Sequence, residues 1–174
     1  MNNIDTLRLI LGWECNLTCP YCCNRIPEVQ AQFRTLRLDD INFEAYANIC
    51  LTGGEPLVML DRLEYVAFYA KFRNPSIFSI LYTNGALLTK EVMNRLQRIG
   101  IRAMTIGLHQ EDQFDKIVSS ALSLAEGTSV SVRFNVWEKL ADKIVPRYPE
   151  ATFKLWVMDA CDRANEDRVV LAKG

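Results

Sequence analysis

The sequence predicts an α/β fold in which parallel strands form an open, six-stranded barrel. Six short apolar, β-branched runs alternate with segments of helical periodicity, which is the pattern of βαβ units joined by right-handed crossovers. Two of these runs also carry small or polar residues on one face, whereas strands of a closed and packed barrel are apolar on both faces. We therefore expect helices on one side of the sheet and a hydrated cavity on the other.

The elements follow one another without a linker, a repeat or a low-complexity tract. Strands are predicted at residues 6–11, 47–52, 77–83, 103–109, 129–136 and 152–158. Helices are predicted at residues 36–46, 59–72, 89–99, 111–125 and 138–145, with a last short helix in 164–174. Asp61 and Thr89 are of the residue types that cap helix N-termini. The aromatic run Phe68, Tyr69 and Phe72 is expected in the core.

Length and charge narrow the class of protein. The chain has 174 residues, which predicts a single domain over 1–174, and 49% of them are hydrophobic. Its net charge of −1 gives no overall electrostatic footprint for nucleic acid. No apolar run approaches the length of a membrane span, and the N-terminus lacks the features of a secretory signal. We expect a cytoplasmic protein with no membrane partner and with reduced thiols.

The stretch CNLTCPYC, from Cys15 to Cys22, follows the first predicted strand and concentrates three thiols in one turn. A structural zinc site would need a second pair of ligands, but the chain has no second CxxC pair and its single histidine, His109, lies far off in sequence. Iron–sulfur clusters are held by thiolates, and a four-iron cluster bound by three of them keeps one iron open. An open coordination position is typical of catalytic metal sites.

Three motifs at the ends of consecutive predicted strands resemble the radical S-adenosylmethionine (radical SAM) superfamily, of which the chain would be a minimal, single-domain member. The first is the cysteine motif CxxxCxΦC, where Φ is aromatic. The others are a GGEP motif after the second strand and YTNG after the third. The matching residues are Cys15, Cys19, Cys22 and Tyr21 in the first motif, Gly53, Gly54, Glu55 and Pro56 in the second, and Thr83 and Asn84 in the third. The resemblance extends over residues 6–160 and implies a partial (β/α)6 barrel.

The resemblance implies one 4Fe-4S cluster, held by the three cysteines, and S-adenosyl-L-methionine (SAM) bound at its open iron. It places Tyr21 beside the cluster and the adenine, and Thr83 and Asn84 in the SAM site. Gly53 and Gly54 would admit the methionyl end of SAM, Glu55 would receive its ammonium group, and Pro56 would fix the turn. An external one-electron donor such as flavodoxin or ferredoxin would reduce the oxygen-sensitive cluster.

The polar face of the later strands supplies further candidates. Arg133 and Asn135 share one face of the fifth strand, and Lys154 points to the same side from the sixth. Adjacent cations repel one another unless an anion joins them, and no predicted strand carries an inward acid. We expect Arg133, with Asn135, to bind SAM and Lys154 to bind an anionic substrate. His109, at the end of the fourth strand, is the candidate catalytic residue.

Three cysteines remain outside the motif. Cys23 is expected to be an ordinary thiol, Cys50 a small core residue, and Cys161 a loop thiol near the functional rim.

The motifs leave the substrate open. One hypothesis is hydrogen abstraction from a small anionic molecule or a modified nucleobase, as in deazapurine formation or phage-type rearrangement of modified thymidine. The alternative is an activating enzyme that places a glycyl radical on a protein substrate, of the anaerobic ribonucleotide reductase type. A non-catalytic iron–sulfur binding or sensing module is the third possibility.

Overall fold

A computed structural model describes residues 5–20, 22–109, 111–156 and 166–172, without the side chains of Cys23 and Trp156. Its strands form one sheet in the order β2-β8-β1-β3-β4-β5-β6-β7, and every recorded pairing is parallel. The strands are β1 Thr6–Ile10, β2 Arg34–Leu36, β3 Asn48–Thr52, β4 Phe78–Thr83, β5 Ile101–Leu108, β6 Ser131–Trp137, β7 Phe153–Trp156 and β8 Glu166–Leu171. The predicted open α/β barrel with parallel strands is confirmed, but the described sheet has eight strands where six were predicted.

Helices connect the strands. They are α1 Pro27–Gln30, α2 Leu60–Arg73, α3 Lys90–Arg98, α4 Phe114–Ala125 and α5 Glu138–Ile144. Thr89 caps α3 as predicted, because its hydroxyl accepts a 3.2 Å hydrogen bond from the Val92 N–H. Asp61 does not cap α2; it lies inside the first turn, where its charge suits the helix dipole.

Two predicted helices are wrong. Residues 36–46 form two 3₁₀ turns, Leu38–Asp40 and Phe43–Ala45, after the short strand β2. The C-terminal segment forms β8, which pairs with β1 over Thr6–Ile10. The run Val169, Val170, Leu171 is apolar, its two valines are β-branched, and burial of Val169 and Leu171 against the core decides in favour of a strand.

The core lies between the sheet and its helices. It takes alternate strand residues, such as Leu7 and Leu9 on β1 and Phe134 and Val136 on β6, together with the inward faces of α2–α5. This layer buries one face of each strand, so the residues between them point to the concave face of the open barrel.

The outward face of α2 differs from the prediction. Phe68 and Phe72 are 65% and 72% exposed, so they are not core residues. Tyr69 is half-buried and packs against the core, with its hydroxyl donating a 2.9 Å hydrogen bond to Asp39. Leu63, Val66, Ala67 and Ala70 occupy the buried face of the helix instead. Smaller aliphatic side chains thus fill the space that the aromatic run was expected to fill.

Candidate cofactor and substrate site

The cluster loop, residues 11–22, leaves the carboxyl end of β1 and carries the three motif cysteines. Cys15 is exposed, while Cys19 and Cys22 are half-buried. Burial raises the pKa of Cys19, and the neighbouring Cys22 and Cys15 raise it further, so the Cys19 sulfur lies within electrostatic reach of the other two. Among the described residues, no three His, Cys, Asp or Glu side chains converge as they would around a single metal ion.

Three sequence candidates cannot be placed in this loop or near it. Tyr21 and Cys161 lie outside the described residues, as does the side chain of Cys23. Cys50, in contrast, is 3% exposed on β3, which confirms a buried position.

The GGEP turn, residues Gly53–Pro56, packs its backbone directly on the cluster loop. The Gly54 N–H donates a 2.9 Å hydrogen bond to the Gly12 carbonyl, and the Glu55 N–H donates a 2.7 Å hydrogen bond to the Glu14 carbonyl. A Cβ on Gly54 would lie 2.1 Å from the Glu14 oxygen, and one on Gly53 would lie 2.5 Å from the Gly12 oxygen. The protein itself therefore requires glycine at these two positions, because only glycine allows the two loops to meet backbone to backbone. This requirement is additional to the expected approach of SAM.

Glu55 joins the ends of β3 and β4. Its carboxylate is 1% exposed and accepts hydrogen bonds from the Thr83 hydroxyl at 2.6 Å, the Asn84 N–H at 2.7 Å and the Leu57 N–H at 3.0 Å. Burial raises the pKa of Glu55, although these hydrogen bonds oppose the shift. A carboxylate offers about four acceptor positions, so one remains for a ligand such as an ammonium group.

Asn84 extends this network to the cluster loop. Its Nδ2 donates a 2.8 Å hydrogen bond to Oδ1 of Asn16, the residue after Cys15. Its own Oδ1 accepts from the Ala86 N–H at 3.0 Å and closes an Asx turn after β4. Sequence reasoning placed Asn84 in the site but missed Asn16, whose position inside the cysteine motif was the available signal.

The concave face of β6 holds buried polar atoms that have no hydrogen-bond partner among the described residues. Arg133 donates from Nη2 to the Thr105 hydroxyl at 3.2 Å, but its buried Nε has no hydrogen-bond partner among the described residues. The buried Oδ1 of Asn135 has none there either. Both residues are half-buried and lie on the concave face, as predicted. Buried polar atoms are normally hydrogen-bonded, so these two are candidates for contact with a ligand.

His109 and Lys154 are near this region but differ in exposure. The His109 ring folds back over Gly107, where an added Cβ would lie 2.4 Å from Nε2. Burial lowers the pKa of His109, which favours a neutral imidazole. Lys154 is paired in register with Asn135 and therefore shares its face, but its side chain is exposed.

The structure adds an inward carboxylate that the sequence analysis excluded. Glu166, on β8, forms a bidentate ion pair with Arg8 at 2.6 and 2.9 Å, and Arg8 also stacks over the Tyr82 ring at 4.5 Å. Although burial opposes its charge, the hydrogen bonds and charge of Glu166 keep the pKa of Arg8 above its ordinary value. The expectation of no inward acid was wrong because β8 was taken for a helix. Arg168 lies beside Arg8 in the register.

The fold and this donor set fit an enzyme class that combines a partial barrel with an iron–sulfur cluster at the carboxyl ends of its strands. One loop carries three thiols, and this loop is braced by a buried carboxylate and two glycines. The family model of the radical SAM superfamily matches residues 10–147, and the chain belongs to this superfamily of enzymes. Its members use a 4Fe-4S cluster and SAM.

Curated relatives carry the name GTP 3′,8-cyclase. The protein of Synechococcus sp. (strain CC9902) is 40% identical over 117 residues, which cover 63% of this chain and 33% of the relative. That of Cyanothece sp. (strain PCC 7425) is 30% identical over 149 residues, covering 79% of this chain and 43% of the relative. The chain thus spans between a third and a half of the length of these relatives.

Solved structures share the fold. BtrN in complex with AdoMet and 2-DOIA is 21% identical with a TM-score of 0.54, covering 75% of this chain and 56% of that one. Native anSMEcpe with bound AdoMet and the Kp18Cys peptide is 17% identical with a TM-score of 0.57, covering 86% and 50%. None of the helices in the described parts of the chain is long and apolar enough to cross a membrane.

Proposed function

We propose that this protein cleaves SAM reductively and abstracts a hydrogen atom from a small anionic substrate of the nucleotide class. The observation that carries the proposal is the contrast on one rim between a braced cysteine loop and a concave face with unsatisfied polar atoms and excess positive charge. A single domain over residues 1–174 and an external one-electron donor remain part of this proposal.

In the cofactor half, Cys15, Cys19 and Cys22 would hold the cluster. When bound, the cluster would supply the one electron needed for the reductive cleavage of SAM. Glu55, with its remaining acceptor position, would orient the methionyl ammonium. The Nε–H of Arg133 would donate to the SAM carboxylate, and Oδ1 of Asn135 would accept a hydrogen bond from a hydroxyl or amino group of the cofactor.

In the substrate half, the positive charge of the inward side chains favours an anionic ligand. The inward positions of the described strands carry the cations Arg8, Arg133, Lys154 and Arg168, against the single carboxylate of Glu166. Glu166 is paired with Arg8, so we expect an anion from outside the protein to meet the positive charge of Arg133 and Lys154. Lys154, exposed at the mouth, would meet the substrate's phosphate or carboxylate, and neutral His109 would accept or donate a proton beside it.

The relatives support a nucleotide. GTP, the substrate in their name, is an anionic purine nucleotide, and it differs from the deazapurine and modified-thymidine examples considered from sequence. This chain covers only 33% and 43% of these two relatives, so GTP itself is one candidate within the class rather than the assignment.

The test is an anaerobic assay of the reconstituted protein with SAM and dithionite. We expect 5′-deoxyadenosine in every reaction, and deuterium in it only when a deuterated nucleoside triphosphate is present. The matched controls are the corresponding neutral nucleosides. Deuterium transfer from the nucleosides alone, or from a glycyl-radical protein substrate alone, would contradict the anionic small-molecule assignment, and absence of 5′-deoxyadenosine would contradict the enzymatic one.

A further inference from the structure

We propose that Asn84 is a positioning residue for the iron–sulfur cluster, acting through Asn16 rather than through contact with SAM. The bond between the two side chains, 2.8 Å from Nδ2 to Oδ1, links the end of β4 to the residue that follows the first cluster cysteine. The proposal rests on the proposed function, since it assumes that the loop holds a cluster.

The polar atoms of Asn84 are already committed to the protein. Its backbone N–H donates to Oε2 of Glu55 at 2.7 Å, its Oδ1 accepts from the Ala86 N–H at 3.0 Å, and its Nδ2 donates to Asn16. The residue is 6% exposed, so both its backbone and its side chain are held in place. One amide hydrogen of Nδ2 is the only donor left, which favours a structural link over a ligand contact.

The cluster loop is the part that needs such a link. Glu14, Cys15 and Asn16 are exposed, and exposed loops with few buried contacts open at low free-energy cost. Asn16 is next to the thiol in the chain and in space: the Cys15 S–H donates to the Asn16 Oδ1 at 3.9 Å, and the Cys15 Sγ accepts from the Leu17 N–H at 3.4 Å. A cluster-bound thiolate has no proton to donate, so Asn16 would then act through the backbone that it shares with Cys15. Fixing the Asn16 amide restricts that backbone and with it the Cys15 sulfur.

The network spans three strands. Glu55 follows β3, Asn84 follows β4, and Asn16 follows β1, so a single chain of hydrogen bonds joins three neighbouring strand ends beneath the thiols. A ligand that engages Glu55 would thereby be linked to the cluster through Asn84. Buried networks of this kind act as a unit, and removing one member affects the others.

Asn74 offers a matched control in the same chain. Its Oδ1 also closes an Asx turn, accepting from the Ser76 N–H at 3.0 Å, and its Nδ2 also bonds another segment, at the carbonyls of Tyr46 and Phe43. It follows α2 rather than a barrel strand, and its side-chain hydrogen bonds involve no residue of the cluster loop. Asn74→Ala removes the same chemistry without touching that loop.

The experiment compares Asn84→Ala, Asn16→Ala, their double variant and Asn74→Ala. Iron release to a chelator is measured on anaerobically reconstituted protein, with the EPR spectrum of the reduced cluster. Hydrogen exchange of the peptide covering residues 11–20 is measured on the protein without cluster. We expect iron release to be about threefold to tenfold faster in both single variants of the pair, the factor that one ordinary hydrogen bond is worth.

The double variant should release iron no faster than either single variant, because both substitutions remove the same hydrogen bond between Asn84 and Asn16. Exchange in residues 11–20 should rise in Asn84→Ala and stay unchanged in Asn74→Ala. Equal effects of Asn84→Ala and Asn74→Ala on iron release, or effects of the pair that multiply, would overturn the link. If the wild-type protein holds no four-iron cluster, the proposed function fails, and the hydrogen-exchange measurement still decides whether Asn84 orders the loop.

Discussion

The two halves of the barrel differ in how their buried polar groups are hydrogen-bonded. After β1, β3 and β4, the protein satisfies its own buried polar groups: Glu55 receives three hydrogen bonds and Asn84 passes the network on to Asn16. On β6, Arg133 and Asn135 keep buried atoms without partners among the described residues. The first half is preorganised before any ligand arrives, while the proposed function requires a ligand to complete the second.

This difference teaches where substitutions should act. Changes to the backbone contacts of the cysteine half should damage cofactor retention and the fold together, since the same bonds serve both. Changes in the Arg133 half should spare the fold and weaken ligand binding, because the Nε of Arg133 has no hydrogen-bond partner among the described residues that the substitution would remove.

The largest effect should come from the cysteines. Replacing Cys15, Cys19 or Cys22 with Ala is expected to abolish the four-iron cluster, because three thiolates leave no spare ligand. The measurement is iron and sulfide content with the visible spectrum after anaerobic reconstitution. Cys23→Ala serves as the control and should keep the cluster; a loss as severe as that of Cys22→Ala would reassign the ligands.

The glycines of the GGEP turn come next. Gly54→Ala would place a Cβ 2.1 Å from a backbone oxygen of the cluster loop, and we expect it to lower the free energy of unfolding by about 3 kcal/mol. Gly100→Ala is the control: its Cβ would meet nothing within 4 Å, so only its φ of +83° costs about 1–2 kcal/mol. Chemical denaturation of both variants gives their free energies of unfolding. Equal losses of stability would show that the two loops can move apart without cost.

A smaller effect is expected at Glu55. Glu55→Gln should keep the cluster but bind SAM about 10- to 100-fold more weakly, the value of one charge-assisted hydrogen bond. Equilibrium binding of SAM to the reconstituted protein gives the number. Thr83→Val removes one internal donor to the same carboxylate and leaves its charge, so it should disturb SAM binding less. Unchanged affinity in Glu55→Gln would remove Glu55 from the SAM site.

Substitutions of Arg133 and Lys154 should separate effects on the cofactor from effects on the substrate. Arg133→Met is expected to impair SAM cleavage itself by about tenfold or more, since it removes a charged hydrogen bond. Lys154→Met should spare uncoupled cleavage and reduce product formation from an anionic substrate. Both are read from 5′-deoxyadenosine and product in one reaction. Full activity of both variants would contradict a pocket for two anions.

The smallest effect concerns pH. Because burial lowers the pKa of His109, the unfolded chain binds a proton before the folded one does, and stability should fall as pH drops below the ordinary histidine range. His109→Gln should flatten the decline between about pH 7 and pH 5. Denaturation midpoints of the cluster-free protein across that range are the measurement. An identical decline in both proteins would mean that carboxylates alone set it.

Much of the site could be predicted because strand ends and their motifs are local in sequence. Cys15, Glu55 and Asn84 each follow a strand whose apolar run is unmistakable, and parallel strands bring such ends to one edge. The shared face of Arg133 and Lys154 followed from alternation alone and agrees with the register of β6 and β7.

The wrong predictions concern residues whose structure depends on contacts with segments distant in sequence. Nothing local distinguishes Val169–Leu171 as a strand from a short helix; its pairing with β1 does. Glu166 became an inward acid only through that pairing. Phe68 and Phe72 have helical spacing and apolar character, but whether that face is buried depends on which side of α2 the sheet occupies.

The pairing of β8 with β1 has a consequence for the order in which the molecule assembles. Arg8 and Glu166 are separated by 158 positions, so a ribosome exposes β1 long before its neighbour exists. Until then the first strand has an open edge and Arg8 has no counter-charge, and contacts so distant in sequence form slowly. The growing chain should remain vulnerable to aggregation through this edge until its final strand docks, and chaperones that mask β edges should accelerate recovery of the native protein.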